Sequence, residues 1–450
     1  MKLKIVDPSD LALQSFRIEG FHNEAPNAET LAMLQALYSR SPASVEQHLE
    51  KVFKEGAKAF METYYIGYGH ESIGQCASIT LFIEGVSFLA AKAIQSDPYY
   101  NGQESSTRYM DFSNATWTNP FPCEETEALF EESIRWYKKI FEQTYESLCW
   151  SVEKSSEDSE LVIERTLKAK AFDVARGFLP IGLHTNLSWH GTLDGIRKHL
   201  KVLAVSPVEE VRYIAKTIWR ELSLKYEGTF PKDLYKNEKE KAYYILQSNL
   251  QYIDIDPQED QSVYKNNSLF MYALSEELLS ERQRGQRIPR AFDMYGDIEQ
   301  TFTLDYGSFR DLQRHRHGVM IMPLASSFEL NDFYEQYLTG ELKLEFWKFT
   351  QDRKETLASL QEYEGFSQEN LQHYHLLGEN VNFRMKFALP QAVYIAELRS
   401  QQTVHPTLRK LAQELGRDIE RFFPEVNLFV NYDPDELCFK RGKQTIEEKK

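Results

Sequence analysis

Four side chains able to hold an anion stand together in the stretch DLQRHRHGVM, residues 311–320: Arg314, His315, Arg316 and His317. Two of them are permanently charged planar forks suited to phosphate oxygens, and a charge-assisted hydrogen bond of this kind contributes roughly 1.5–3 kcal/mol. A solvated basic turn balanced by Asp311 would use the same residues. A second polar group lies in GQESSTRYMDF, residues 102–112. In an extended segment Glu104, Ser106 and Arg108 would face one way and Ser105 and Thr107 the other. That face would carry a carboxylate, a hydroxyl and a guanidinium, a set fit to read a polar anionic small molecule; a salt-bridged structural turn is the competing reading.

Other chemistries find little support. His315 with His317, and His373 with His375, alternate as metal ligands sometimes do, yet no acidic or cysteine partner is spaced to complete a shell, so no metal is expected. Cys76, Cys123, Cys149 and Cys438 are scattered without CxxC spacing, which suggests neither a zinc site nor a disulfide framework, and none sits in a polar cluster typical of a nucleophile. No base follows Ser106, so hydrogen bonding suits it better than attack. There is no GxGxxG after a strand and no GxxxxGKS loop, and the glycines of IGYGHESIG, residues 66–74, have the wrong spacing.

The chain around these residues is acidic, with 68 Asp and Glu against 52 Lys and Arg and a formal net charge of -16. Broad binding to nucleic acid or an anionic membrane needs a positive face, so any anion must be held at a local pocket. Met1–Arg17 lacks the apolar core of a signal peptide, and the best apolar run, Ser78–Ile94, is interrupted by Glu84 and Lys92; a cytoplasmic protein is expected.

The elements that must position the two clusters are helix-rich. Residues 124–148 and 407–423 carry apolar positions at spacings of three and four and predict helices. The runs near LKIVD and QYIDI, and the tail VNLFVNYD, predict strands. Three pairs of segments recur in the same order: LKIVDPSD with QYIDIDPQED, FLPIGL with ALPQAV, and VRYIA with LRKLA. The separation shrinks along the chain, as a tandem duplication with deletions in the second copy would leave it. The expectation is an α+β fold of two homologous helix-rich repeats, residues 1–245 and 246–450, each with a small mixed or antiparallel sheet, joined near KDLYKNEKEKAYY.

The segment GHESIGQCASITLFIEGVS followed by NGQESSTRYMDF resembles the flavin-dependent thymidylate synthase family, whose signature runs from an RHR triplet to a terminal SxR within an ESxRY context. Counted back from Arg108, the triplet should occupy 96–98, where this chain has Ser96, Asp97 and Pro98. The second half keeps RHR at 314–316 and has no ESxR after it, so the two losses are complementary. ARGFLP, residues 175–180, is similar to the family's A-R-x-x-L-P segment, and AELRSQQTVHPTLRKLA, residues 396–412, to its C-terminal LR segment.

The resemblance implies FAD as cofactor, with NADPH and methylenetetrahydrofolate as co-substrates, and reductive methylation of dUMP to dTMP without a cysteine nucleophile. By carry-over, Arg314, His315, Arg316 and His70 would contact the flavin. Glu104, Ser106, Arg108 and Arg399 would hold the nucleotide; a structural guanidinium is the other reading of Arg399, and a buried histidine satisfied by a carbonyl that of His70. The family's active sites lie at the subunit interfaces of a homotetramer, so a fused pair of repeats would form a pseudo-dimer with one composite site, and two chains a homodimer of pseudo-dimers. Two positions depart from the pattern. Asp311 replaces a glutamine that contacts substrate, and Val319 a serine. An acidic residue beside a phosphate dianion is unfavourable unless it pairs with Arg310 or Arg314. A different pyrimidine nucleotide, or a catalytically degenerate flavin- or nucleotide-binding paralogue, is therefore the alternative.

Overall fold

The computed structural model describes residues 1–6, 27–151, 159–253, 255, 261–266 and 276–434. The fold is α+β, with helices predominating and two small sheets, both antiparallel. The chain forms two compact units, and each is discontinuous: Met1–Ser105 with His184–Leu250, and Ser106–Leu183 with Gln251–Lys450. Residues 106–183 therefore share a core with the second half of the sequence, and the compact units do not follow a cut at 245/246.

In the first unit, β1 (Lys2–Val6), β2 (Ser78–Ser87) and β3 (His184–Thr192) pair in that order. Strict alternation makes β3 a strand: Thr185, Leu187, Trp189 and Gly191 turn inward, and Leu187 and Trp189 stand opposite Ile83 and Leu81 of β2. At Ser87 the hydroxyl accepts from the Ala90 amide and starts the helix Phe88–Gln95, all of whose side chains are buried. Thr192 caps the helix Leu193–Leu203 in the same way. Residues 101–105 run along the outer side of β3, exchanging amide bonds with Asn186, Ser188 and His190. Gly102 is required there, because a Cβ would stand 1.9 Å from the Ser188 carbonyl oxygen.

The second unit has the sheet order β4 (Ser262–Lys265), β5 (Gly296–Asp305), β7 (Asn380–Ala388), β6 (Val319–Ile321). Phe302 faces Phe383 and Leu304 faces Val381 across β5 and β7. A helix again follows directly on the second strand, here Tyr306–Leu312 after β5, and helices Leu389–Arg399 and Pro406–Phe422 follow β7. A separate apolar cluster ties Leu129 and Phe130 of the helix Glu124–Ser151 to Leu357 and Leu360 of the helix Gly340–Leu360, and to Phe366, Leu371 and Tyr374. Full burial of such side chains contributes roughly 1.5–3 kcal/mol each. This cluster is why the first-half helix belongs to the second unit.

Several expectations change. QYIDI is not a strand: Leu250–Tyr252 extends the helix Glu238–Asn249 as a 3-10 turn, and the strand that pairs with β5 is Ser262–Lys265. VNLFVNYD is extended but joins no sheet; Phe429 N–H donates to Glu397 Oε1 at 3.0 Å, Asn431 N–H to Ser400 Oγ at 2.9 Å, and Asn427 N–H to the Leu279 carbonyl at 3.0 Å. FLPIGL and ALPQAV are not equivalent places, because Pro180 precedes β3 whereas Pro390 opens a helix after β7. Pro8, Pro257 and Cys438 lie outside the described residues. The helices predicted over 124–148 and 407–423 occur as Glu124–Ser151 and Pro406–Phe422, and the strand at LKIVD as Lys2–Val6. No helix among the described residues is long and apolar enough to cross a membrane.

Candidate functional site

The RHR turn is placed by the short helix Tyr306–Leu312. Asp305 caps it, its Oδ2 accepting from the Ser308 amide at 2.9 Å, from the Tyr334 hydroxyl at 3.0 Å, and its Oδ1 from the Thr407 hydroxyl at 2.5 Å. The helix ends at Leu312, and residues 314–316 turn toward β6. Gly318 lets the chain turn tightly against β7, since a Cβ there would meet the Phe387 ring at 2.0 Å. Arg314 is exposed and His315 buried, so the turn presents one guanidinium to solvent and tucks the imidazole beneath it.

His315 accepts from Arg399 Nε–H at its Nε2, 2.7 Å away. The proton then sits on Nδ1, which lies 3.4 Å from the Gln391 side-chain amide. Burial, then the guanidiniums of Arg399, Arg287, Arg316 and Arg314, push the imidazole down to about 3, so it is neutral at physiological pH. Arg399 also donates from Nη2 to the Asp311 carbonyl at 2.8 Å, satisfying one of the orphan acceptors at the end of the Tyr306–Leu312 helix. Arg399 thus caps a helix and is one of several cations around a single carboxylate.

That carboxylate is Asp311. Its Oδ2 lies 3.3 Å from Arg176 Nη1 and its Oδ1 3.6 Å from Arg314 Nη2. Burial favours its neutral form, but Arg314, Arg176, Arg108 and Arg399 outweigh burial and hold its pKa well below the usual carboxylate range. Arg176 also donates to Ser308 Oγ at 2.7 Å and sits 3.5 Å from Asp305. Arg108 comes from the turn that begins at Ser106 and is clamped in a fork-to-fork pair, Nε to Asp173 Oδ1 at 2.7 Å and Nη2 to Asp173 Oδ2 at 3.1 Å, with a further bond to the Thr403 carbonyl at 3.1 Å. Beside this cluster is a cleft of about 270 Å³ lined by Arg282, Arg284, Arg287, Tyr394, Glu397 and Phe429. Arg287 stacks on the Tyr394 ring at 3.1 Å, and that ring meets His315 edge-on at 5.6 Å.

The second unit therefore brings together Ser106, Arg108, Arg314, His315, Arg316 and Arg399. The one-sided alternation expected of Glu104, Ser106 and Arg108 does not occur, because the extended run ends at Ser105 and the chain turns, the Tyr109 and Met110 amides donating back to the Ser106 carbonyl. Ser106 Oγ accepts from the Arg108 amide at 3.3 Å and so shapes this turn. Glu104 and His70 belong to the first unit. Glu104 there accepts from Gln95 Nε2 at 2.7 Å, and His70 lies 3.3 Å from Arg40 Nη2 beside the rings of Tyr64 and Tyr68. His373 and His375 are buried; His375 Nδ1–H donates to Glu379 at 2.6 Å, a structural bond, and among the described residues no group of three or more His, Cys, Asp or Glu could hold a metal ion. Sequence reading did not assign Asp173, Arg176 or Gln391 to the site. Arg176 stood in plain view in ARGFLP, whereas nothing local marks Asp173 or Gln391.

Fold and site define an α+β chain with an arginine-rich cluster built from segments some two hundred residues apart in sequence. Residues 21–226 match the family model Thy1, thymidylate synthase complementing protein. A UPF0159 protein of Chlamydia pneumoniae is 22% identical over 443 residues, covering 84% of this chain and 81% of its own. A UPF0159 protein of Thermoplasma acidophilum is 21% identical, covering 88% and 94%. Among solved structures, the UMP/dUMP methylase PolB of Streptomyces cacaoi bound with 5-Br dUMP is similar at 14% identity and a TM-score of 0.31, over 45% of this chain and 88% of that one.

Proposed function

We propose that this chain carries out thymidylate-synthase-like methylation of a pyrimidine nucleotide, with dUMP as the reference substrate, FAD as cofactor, and methylenetetrahydrofolate and NADPH as co-substrates. The observation that carries the reading is the convergence of Arg108, Arg314 and Arg399, from motif segments far apart in the chain, around Asp311 and His315 in one compact unit. The donor set fits a flavin dinucleotide: Arg314 and Arg316 are chemically matched to its pyrophosphate, and the Arg287–Tyr394 stack beside them offers a planar cationic surface for a ring. When bound, the flavin supplies the hydride, and the folate supplies the one-carbon unit.

The chain's own contribution is orientation and charge. Arg108 and Arg399 are assigned to the nucleotide, and each is already anchored on its Nε and Nη2 edge, by Asp173 and by His315 with the Asp311 carbonyl. The cost of ordering these side chains is thus met by folding rather than by binding. Ser106 shapes the turn that presents Arg108. Neutral His315 supports Arg399 as an acceptor, which an imidazolium could not do. Glu104 and His70, assigned to nucleotide and flavin, rest on the resemblance alone.

Each unit has strands in the same order, a helix directly after the second strand and two helices after the last long one, which supports descent of residues 1–245 and 246–450 from one ancestral repeat. On that reading the assembly is a homodimer of pseudo-dimers. The test is direct: purified protein supplied with FAD should be yellow, should oxidise NADPH faster with dUMP present, and should form dTMP from methylenetetrahydrofolate. Colourless protein whose NADPH consumption ignores every pyrimidine nucleotide would sink the proposal.

A further inference from the structure

We propose that Asp311 sets the charge of the group the arginine cluster accepts, and that the site takes a singly charged phosphate ester of a pyrimidine nucleoside in preference to a phosphate dianion. This rests on the pyrimidine-nucleotide reading above and deepens it. Asp311 places a carboxylate between Arg176 Nη1, at 3.3 Å, and Arg314 Nη2, at 3.6 Å. It thus places a fixed negative charge between a buried guanidinium and the exposed one that the RHR turn presents. A glutamine at this place would fill a similar volume with no charge.

The charged surroundings come from every element packed there. Arg176 and Asp173 belong to the helix Glu160–Ala175 and the turn after it, Arg108 to the turn at 106–109, Arg399 to the helix Leu389–Arg399, and Arg314 to the RHR turn itself. Asp173 is committed to Arg108, and Asp305 is committed to its helix amide, Thr407 and Tyr334. His315 and His405 are both held neutral by burial and neighbouring guanidiniums. Asp311 stays ionised because its guanidiniums outweigh its burial. The titrating partner between pH 5 and 7.5 is therefore the ligand, whose phosphate monoester loses its second proton near pH 6. The carboxylate takes up attraction that Arg176 and Arg314 would otherwise offer and opposes a second negative charge brought beside it, and such like-charge contacts discriminate.

The experiment is calorimetric binding to the full chain supplied with FAD, from pH 5 to 7.5, with dUMP, deoxyuridine 5′-(methyl phosphate) and deoxyuridine as probes. The expected result is that dUMP binds about tenfold more weakly at pH 7.5 than at pH 5, a difference of about 1.4 kcal/mol, while the methyl ester keeps one affinity throughout. A native ligand carrying a protonated monoester and one carrying a diester differ in this respect, so the two probes separate them. In Asp311→Asn the dUMP affinity at pH 7.5 should rise about tenfold or more and its decline with pH disappear. Asp311→Glu, which keeps the charge, should retain the decline. Unchanged dUMP affinity and slope in Asp311→Asn would overturn the inference while leaving the nucleotide reading intact, and so would loss of the slope in Asp311→Glu, which would make packing the cause. Failure of all three probes to bind either the natural chain or Asp311→Asn would overturn both.

Discussion

Replacing Arg176 by methionine tests whether the polar network beneath the site is held by charge or merely fills space. The Arg176 side chain is 1% exposed and the Asp305 side chain 0%, so neither can turn to water. The substitution removes the 2.7 Å bond to Ser308 and the cation 3.3 Å from Asp311 and 3.5 Å from Asp305, while the methionine fills most of the volume. Removing one partner of a buried ion pair costs about 3–5 kcal/mol, because the remaining charge is left uncompensated. At about 2–4 °C per kcal/mol for large domains, the second unit's Tm should fall by roughly 6–20 °C. A chain of two units need not unfold in one step, so the measurement should be local: exchange protection of the Tyr306–Leu312 amides and near-UV dichroism across a urea series. Adding Asp305→Asn should restore part of the loss, with a coupling of at least about 1 kcal/mol in the double-mutant cycle. A loss below about 1 kcal/mol, or full additivity of the two changes, would refute the reasoning.

Three further outcomes follow from named contacts. His315 is pushed by burial and by Arg399 down to about 3, so an unfolded imidazole binds its proton near 6.5 and the folded one does not; its stability contribution is complete above pH 6.5 and is lost as pH falls toward 3. Urea midpoints of His315→Gln should show a shallower decline between pH 6.5 and 4 than the natural chain. Gly318→Ala should lower the urea midpoint by an amount equivalent to about 1–3 kcal/mol, because its Cβ would stand 2.0 Å from the Phe387 ring. Arg108→Ala and Arg316→Ala chains, mixed and refolded together, should not rescue each other's activity, since both residues lie in one compact unit of one chain; recovery above the level of either alone would contradict this.

What was legible in the sequence was what local pattern encodes. The RHR turn follows a helix that starts directly after β5, and residues 96–98 follow the helix that starts directly after β2. What was not legible depends on tertiary partners. Alternation in VNLFVNYD reads as a strand, yet its Phe429 and Asn431 amides answer to Glu397 and Ser400 rather than to a sheet. The turn at Ser106 is imposed after a run that alternates as well as any strand. Asp173 sits inside the helix Glu160–Ala175 with nothing around it to announce a bidentate partner sixty-five residues away. Arg176 lay within a recognised motif, but its role comes from Asp305, Ser308 and Asp311, which only folding brings near.

The interleaving of the two compact units fixes an order of events during synthesis. The first unit can close once residues up to 250 have left the ribosome, because its last strand and helices are then present. The helices Glu124–Ser151 and Glu160–Ala175 emerge earlier, but the side chains that cover Leu129 and Phe130, from Leu357 to Tyr374, come more than two hundred residues later. At ribosomal speeds of about 5–20 residues per second, that interval lasts on the order of ten to forty seconds. Through it, the Leu129 and Phe130 face of the helix waits without the side chains that cover it in the folded unit.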